Sequence, residues 1–272
     1  MFDATSPSEV FGQAQIGVTA DASGTRLARL YQHEPLRVLF PTPATGDIFE
    51  AALVTTSGGL VGGDRFGIEI HAERDAKILI SPQAAEKVYR STGVDSRIDV
   101  TLTAEGGSWL EWLPQDTILF ESARLRRSSI IEAAPDARVL AGEIVVFGRV
   151  GRGERFSRGL LRDAWQVRRG GQLVWADALL LEGDIARQID HPAGLAGATA
   201  AATAVYVAPD AARWLEEARA LGAFATVVNG VLVARWLEKD ARILRAKFAD
   251  FWSGFRHAAA GLPRRLPRLW HV

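Results

Sequence analysis

The residues best placed to do chemistry in this chain are carboxylates embedded in apolar sequence. Glu111 and Asp116 lie within Leu110-Glu111-Trp112-Leu113-Pro114-Gln115-Asp116-Thr117-Ile118-Leu119-Phe120. Asp64 ends Thr56-Ser57-Gly58-Gly59-Leu60-Val61-Gly62-Gly63-Asp64, and Glu143 and Asp177 also stand among apolar neighbours. A carboxylate carried into an apolar interior has to be paired, hydrogen-bonded or engaged with a cation. Two of them set about 5 Å or about 6.5–9.5 Å apart would serve glycoside hydrolysis. A glycan-active, carboxylate-dependent hydrolase is therefore one reading of Asp64, Glu111, Glu143 and Asp177. The plainer reading gives each an arginine partner or a turn to cap.

Other chemistries find little support. The chain has no cysteine, which excludes disulfides, thiolate zinc sites, iron–sulfur clusters and thiol catalysis. Its five histidines, His33, His71, His191, His257 and His271, never fall three or four residues apart, so no preformed transition-metal site is expected. Gly58 and Gly63 match the glycines of a phosphate-binding loop, but Asp64 and Arg65 stand where Lys and Ser or Thr belong. No nucleophile elbow occurs either. A formal net charge of zero argues against a nucleic-acid binder and gives little protection against self-association. No window is long and apolar enough for a membrane helix. The start lacks the basic and apolar regions of a secretory signal, so a soluble, cytoplasmic protein is expected.

The elements that must position these residues read as mainly β. Strand signals run from about residue 25 to about 208, with alternation in Arg65–His71 and Arg97–Thr103. Near-continuous apolar runs at 76–80 and 142–147 predict strands covered on both faces. Frequent Gly and Pro punctuation predicts a layered β-sheet body, sandwich-like or irregular β-helix-like, with no fixed-period repeat. Two C-terminal helices are expected, one opened by Pro209-Asp210 and closed by Gly222, the other from Lys239 to about Ala260. Between them, Asn229-Gly230 separates two apolar runs and predicts a tight hairpin. The last helix carries Ile243, Leu244, Phe248, Phe251, Trp252 and Phe255 as a docking stripe. Residues 261–272 form a basic, Pro-rich tail, and 148–159 a basic, hairpin-like stretch. The whole chain, 1–272, reads as one domain.

Taken in order, several of these segments resemble the UreD family of urease accessory proteins, called UreH in some organisms. The likeness runs through Pro35-Leu36-Arg37-Val38, Ser57–Asp64, Ala85-Glu86-Lys87-Val88-Tyr89-Arg90 and Leu110–Ile118. It continues through Gly142-Glu143, Gly148-Arg149, Gly153-Glu154-Arg155-Phe156 and Pro267-Arg268-Leu269-Trp270. Departures are Ser81-Pro82 in place of a Thr-rich approach, Val272 in place of Thr, and an unplaced stretch before about residue 25.

The resemblance implies a β-rich scaffold without enzymatic activity. Its implied partners are UreF, the nickel-carrying GTPase UreG and apo-urease, with no cofactor held permanently and nickel in transit as cargo. It also implies an interior passage to which Asp64, Glu143 and Asp177 contribute, with Asp47 a further acidic position. Glu111 joins this set on its apolar-strand placement alone. Spaced oxygen ligands would attract a divalent ion and still release it.

Overall fold

The computed structural model describes residues 10–271. In chain order the strands begin β1 (Phe11–Asp21), β2 (Gly24–His33), β3 (Leu36–Leu39), β4 (Phe49–Thr55), β5 (Arg65–Ala72) and β6 (Lys77–Pro82). They continue β7 (Glu86–Val88), β8 (Ser96–Ala104), β9 (Trp109–Trp112), β10 (Asp116–Leu119), β11 (Arg124–Ala133) and β12 (Arg138–Phe147). The rest are β13 (Leu160–Arg169), β14 (Gln172–Glu182), β15 (Ala200–Val207), β16 (Phe224–Val228) and β17 (Val231–Glu238). Helices α1 (Ile185–Asp190), α2 (Leu215–Ala220) and α3 (Ala241–Ala260) complete the chain.

The strands form two stacked sheets. One has seven strands in the order β14-β13-β11-β8-β5-β1-β2. The other has ten, in the order β16-β17-β15-β12-β9-β6-β4-β3, with β7 and β10 attached at one side. From β4 to β13 the chain alternates between the sheets and pairs in parallel, winding an irregular β-solenoid. Antiparallel strands flank that block in both sheets.

Short and long connections segregate. Four-residue turns, 73–76, 105–108 and 134–137, carry the chain from the seven-stranded to the ten-stranded sheet. Their uneven starts, and return crossovers of differing length, explain why no fixed period shows in the sequence. The returns, 56–64, 83–95, 113–123 and 148–159, lie at the opposite side. They touch one another: Leu60 bridges Val88, Tyr89 meets Phe120 edge-on, and Arg149 lies over the Phe120 ring. Several of the segments that carry the family resemblance are thereby gathered into one loop layer.

Strand structure starts at Phe11, ahead of the expected boundary near 25, and β1 pairs in parallel with β5. Residues 1–9 lie outside the described residues. The Asn229-Gly230 hairpin forms between β16 and β17, both turn residues taking positive φ. The 148–159 stretch contains a single helical turn, Val150–Arg152, and no hairpin. The helix expected after Pro209 begins as a 3-10 turn, Ala211–Trp214, before α2.

Two apolar cores result. One fills the space between the sheets, and the other lies under α3, against the outer face of β12, β15 and β17. In β12 both faces are buried, as the unbroken apolar run requires. Gly142 turns outward, where a Cβ would lie 2.8 Å from Phe248 and 3.1 Å from Trp252. That absent side chain lets α3 seat on the sheet, and the next residue, Glu143, points inward. Leu244, Phe248, Phe251, Trp252 and Phe255 are fully buried on α3, whereas Ile243 is exposed. Each buried side chain of this size contributes about 1.5–3 kcal/mol. The C-terminal tail is an arm packed by Trp270, which stacks on Phe248 and under Arg245.

Candidate functional site

Two buried arginines organise most of the interior acids. Arg127 on β11 faces inward between its outward neighbours Arg126 and Ser128. Its Nε and Nη2 donate to Asp163 on the adjacent β13, at 2.9 and 2.7 Å. Its Nη1 reaches across the sheets to Glu143 at 2.5 Å and to the Thr117 hydroxyl at 3.0 Å. Trp112 Nε1 donates to the other Glu143 oxygen at 3.2 Å. Burial pushes the Glu143 carboxyl upward, while the Arg127 charge opposes that rise. Burial also works against the charge on Arg127, yet Asp163 and Glu143 together hold its pKa above the ordinary value.

The second arginine, Arg256 on α3, closes the core beneath the helix. Its Nε donates to both oxygens of Glu111, at 3.0 and 3.1 Å, and two further nitrogens clasp Asp47 at 2.7 and 3.1 Å. Trp109 and Trp252 donate their indole N–H groups to Glu111 at 2.8 and 2.7 Å. The carbonyls of Pro263 and Arg265 accept from the same guanidinium, so the C-terminal arm is tied into the network.

Glu143 and Arg127 also line a cavity of about 50 Å³ between the sheets, with Thr55, Glu86, Gln115 and Thr117. On the measure in which one water needs about 10–15 Å³, this is room for a few waters. Phe66, Ile98 and Val100 supply an apolar wall. A second hollow of about 110 Å³, bordered by Gly58, Gly59 and Lys87, shares Thr55 and Glu86 with the inner one. With Leu53, Pro82 and Ala84 these two side chains make up the partition, the Thr55 hydroxyl donating to Glu86 at 3.0 Å. Burial pushes the Glu86 carboxyl up to about 7, with a smaller upward contribution from the Asp64 charge.

The acids picked out by sequence have separate places. Asp47 and Glu111 share Arg256. Glu143 faces the cavity with Arg127. Asp64 caps the glycine loop, its two oxygens accepting from Val61 N at 2.9 Å and Val10 N at 3.2 Å. Asp177 lies half-exposed on β14 and accepts from Arg235 of β17 at 2.6 Å. Asp64 and Asp177 share no hydrogen-bond donor with either arginine network. The four acids considered for glycan hydrolysis thus sit on four different stretches of chain with four different sets of donors. Among the described residues, no three His, Asp or Glu side chains gather as a metal cluster.

Glu86, Arg127, Asp163 and Arg256 were not singled out from the sequence. The signal was present for two of them. Alternation through Leu125, Ser129 and Ile131 places Arg127 on the inward face, and Leu161, Trp165 and Val167 do the same for Asp163. Nothing local marks Glu86, whose position depends on the parallel pairing of β7 with β10.

The UreD urease accessory protein family model matches residues 11–271. A urease accessory protein UreD from Magnetococcus marinus is 46% identical over 280 residues, covering 98% of this chain and 96% of that protein. UreD from Azorhizobium caulinodans is 44% identical, covering 95% of each chain. Urease accessory protein UreD 1 from Methylobacterium radiotolerans is 42% identical over 94% of this chain and 89% of its own length. A match that runs through both sheets, α3 and the C-terminal arm leaves no part of the described fold unaccounted for: the chain belongs to the UreD family of urease accessory proteins.

Proposed function

We propose that this chain is a non-catalytic scaffold of urease maturation, a chaperone required for nickel insertion into apo-urease. It assembles with UreF and the GTPase UreG and works in the cytoplasm. The observation that carries this reading is the nearly end-to-end family match. The arrangement of the acids agrees with it, since Asp47, Glu111, Glu143 and Asp163 are each held by Arg256 or Arg127 within the fold. No helix among the described residues is long and apolar enough to cross a membrane.

Nickel is the cargo in this reading, and its passage uses the inner cavity. Glu143 and Glu86 supply oxygen donors to that space, and Asp64 lies near enough to Glu86 to influence its charge. Such sparse oxygen ligands hold a divalent ion weakly. Asp47 and Asp177 take part only on exchange with Arg256 and Arg235.

The test is urease activity and urease nickel content in cells with and without the chain, alongside co-purification with the other accessory proteins. Loss of both measures on deletion is expected, and undiminished urease would end the scaffold reading. The double variant Glu86→Gln, Glu143→Gln should keep the complex and lower nickel loading. Normal loading there would remove the passage and leave the scaffold.

A further inference from the structure

The outer face of the seven-stranded sheet carries a row of like charges with no part in the interior networks. Register sets Arg65 beside Arg97, Arg97 beside Arg126, and Arg126 beside Arg162, on four successive parallel strands. Each points outward, because the next residue along each strand, Phe66, Ile98, Arg127 or Asp163, is buried. At about 4.8 Å between strands, four guanidinium side chains share one rung. Like charges set directly opposite one another destabilise a sheet, so folding alone does not favour this row.

Among the described residues, only Arg126 of the four has a carboxylate partner. It pairs with Asp95 at 2.5 Å, and Arg124 from the rung's margin pairs with the same Asp95 at 2.6 Å. Arg124 also lies 4.0 Å from Glu182. The rung ends in exposed apolar side chains, Phe11 on β1 and Leu180 on β14, 53% and 56% accessible. One rung along stand Gly67, Asp99 and Ser128, followed by Glu69, Thr101 and Ile130. The basic surface is therefore a narrow stripe, one residue wide except where Arg124 adjoins it on β11, with acids alongside and apolar ends.

We propose that this rung docks an acidic α-helix of a partner protein, laid across the strands. A helix repeats every 5.4 Å or so, close to the strand spacing, so carboxylates at i, i+4 and i+7 follow the arginine row. Arginine suits this task because its planar fork binds a carboxylate bidentately. Crossing from β1 to β14 covers about 24 Å, or about 16 helical residues, and brings apolar positions at both helix ends onto Phe11 and Leu180. A nucleic acid would require a broader basic surface, and Asp99 and Glu69 would repel its phosphates.

The experiment uses the full chain and a fluorescent synthetic helix of about 16 residues, with glutamates on one face and leucines near its ends, followed by anisotropy. The wild type should bind it, and raising salt from about 50 to about 200 mM should weaken binding. The triple variant Arg65→Gln, Arg97→Gln, Arg162→Gln should bind at least about tenfold more weakly, and Asp99→Asn should bind more tightly. Circular dichroism verifies folding, and Arg97→Glu alone, with a loss of similar size, replaces the triple variant should it unfold. Equal binding of a scrambled peptide, unchanged affinity of the arginine variants, tighter binding of a short DNA duplex, or self-association through the stripe would each overturn the proposal.

Discussion

Arg127 and Arg256 head two networks of the same composition, a buried guanidinium between two carboxylates with indole donors at the margin. Their surroundings differ. Around Arg256 every guanidinium nitrogen donates, to Glu111, Asp47 or a backbone carbonyl, inside an aromatic core. Around Arg127 there is open volume. The Glu143 carboxyl is pushed upward by burial in spite of its arginine. A satisfied buried network specifies one packing, whereas a partly satisfied one keeps alternatives. The Arg256 network is a clasp that joins α3 and the C-terminal arm to the solenoid. The Arg127 network sits where a side chain has room to change partners.

Removing the clasp is expected to have the largest effect. Arg256→Leu leaves Glu111 without its counter-charge in a dry core, which costs about 3–5 kcal/mol. Urea unfolding should show that loss, and hydrogen exchange should show α3 and residues 261–271 losing protection first. A loss below about 1 kcal/mol would mean that the helix is held by its aromatic stripe alone.

Arg127→Met strands both Glu143 and Asp163 but should cost less, about 2–3 kcal/mol near neutral pH, because the adjoining cavity has room for water and Glu143 can take up a proton. The loss should shrink as pH falls and Glu143, one of the two carboxyls left behind and already raised by burial, takes up a proton. Equal and pH-independent losses for the Arg127 and Arg256 variants would erase the distinction between the networks.

Glu86→Gln tests the partition beside the cavity. A carboxyl whose folded pKa is raised from 4.5 to about 7 favours the fold when protonated and opposes it once ionised. Its contribution is fully present below 4.5 and lost as pH rises through about 7. The variant, neutral throughout, should exceed the wild type in stability by up to about 3 kcal/mol near pH 8 and match it near pH 4.5. Melting curves at the two pH values measure this. Parallel curves would place Glu86 in solvent and open the partition.

The sequence disclosed the parts of this comparison unevenly. The apolar run at 142–147, the Asn229-Gly230 turn and the stripe on α3 act over a few residues, so their strands, hairpin and helix were legible. In the glycine loop, Gly59 takes a positive φ, and a Cβ there would lie 2.4 Å from the Lys87 carbonyl oxygen, a close backbone approach set by β7 from elsewhere in the chain. The partners of the acids were not legible. Asp47 and Arg256 are separated by 209 positions and Glu111 and Arg256 by 145, so only the finished fold brings them together. β1 was missed because its place is set by pairing with β5, not by punctuation of its own.

The smallest effect on stability is expected at Asp177. Its ion pair with Arg235 joins β14 of one sheet to β17 of the other, but the two side chains are 37% and 50% exposed. Water and salt screen such a pair, so Asp177→Ala should cost under about 1 kcal/mol, less still in about 0.5 M salt. That mildness makes the variant useful. The Arg127 and Arg256 variants change folding and function together, whereas Asp177→Ala leaves both networks intact. A clear drop in urease nickel loading with an unchanged melting curve would therefore report transfer itself and bring Asp177 into the passage. Full loading would keep Asp177 out of the proposed passage, leaving it to tie β14 of one sheet to β17 of the other.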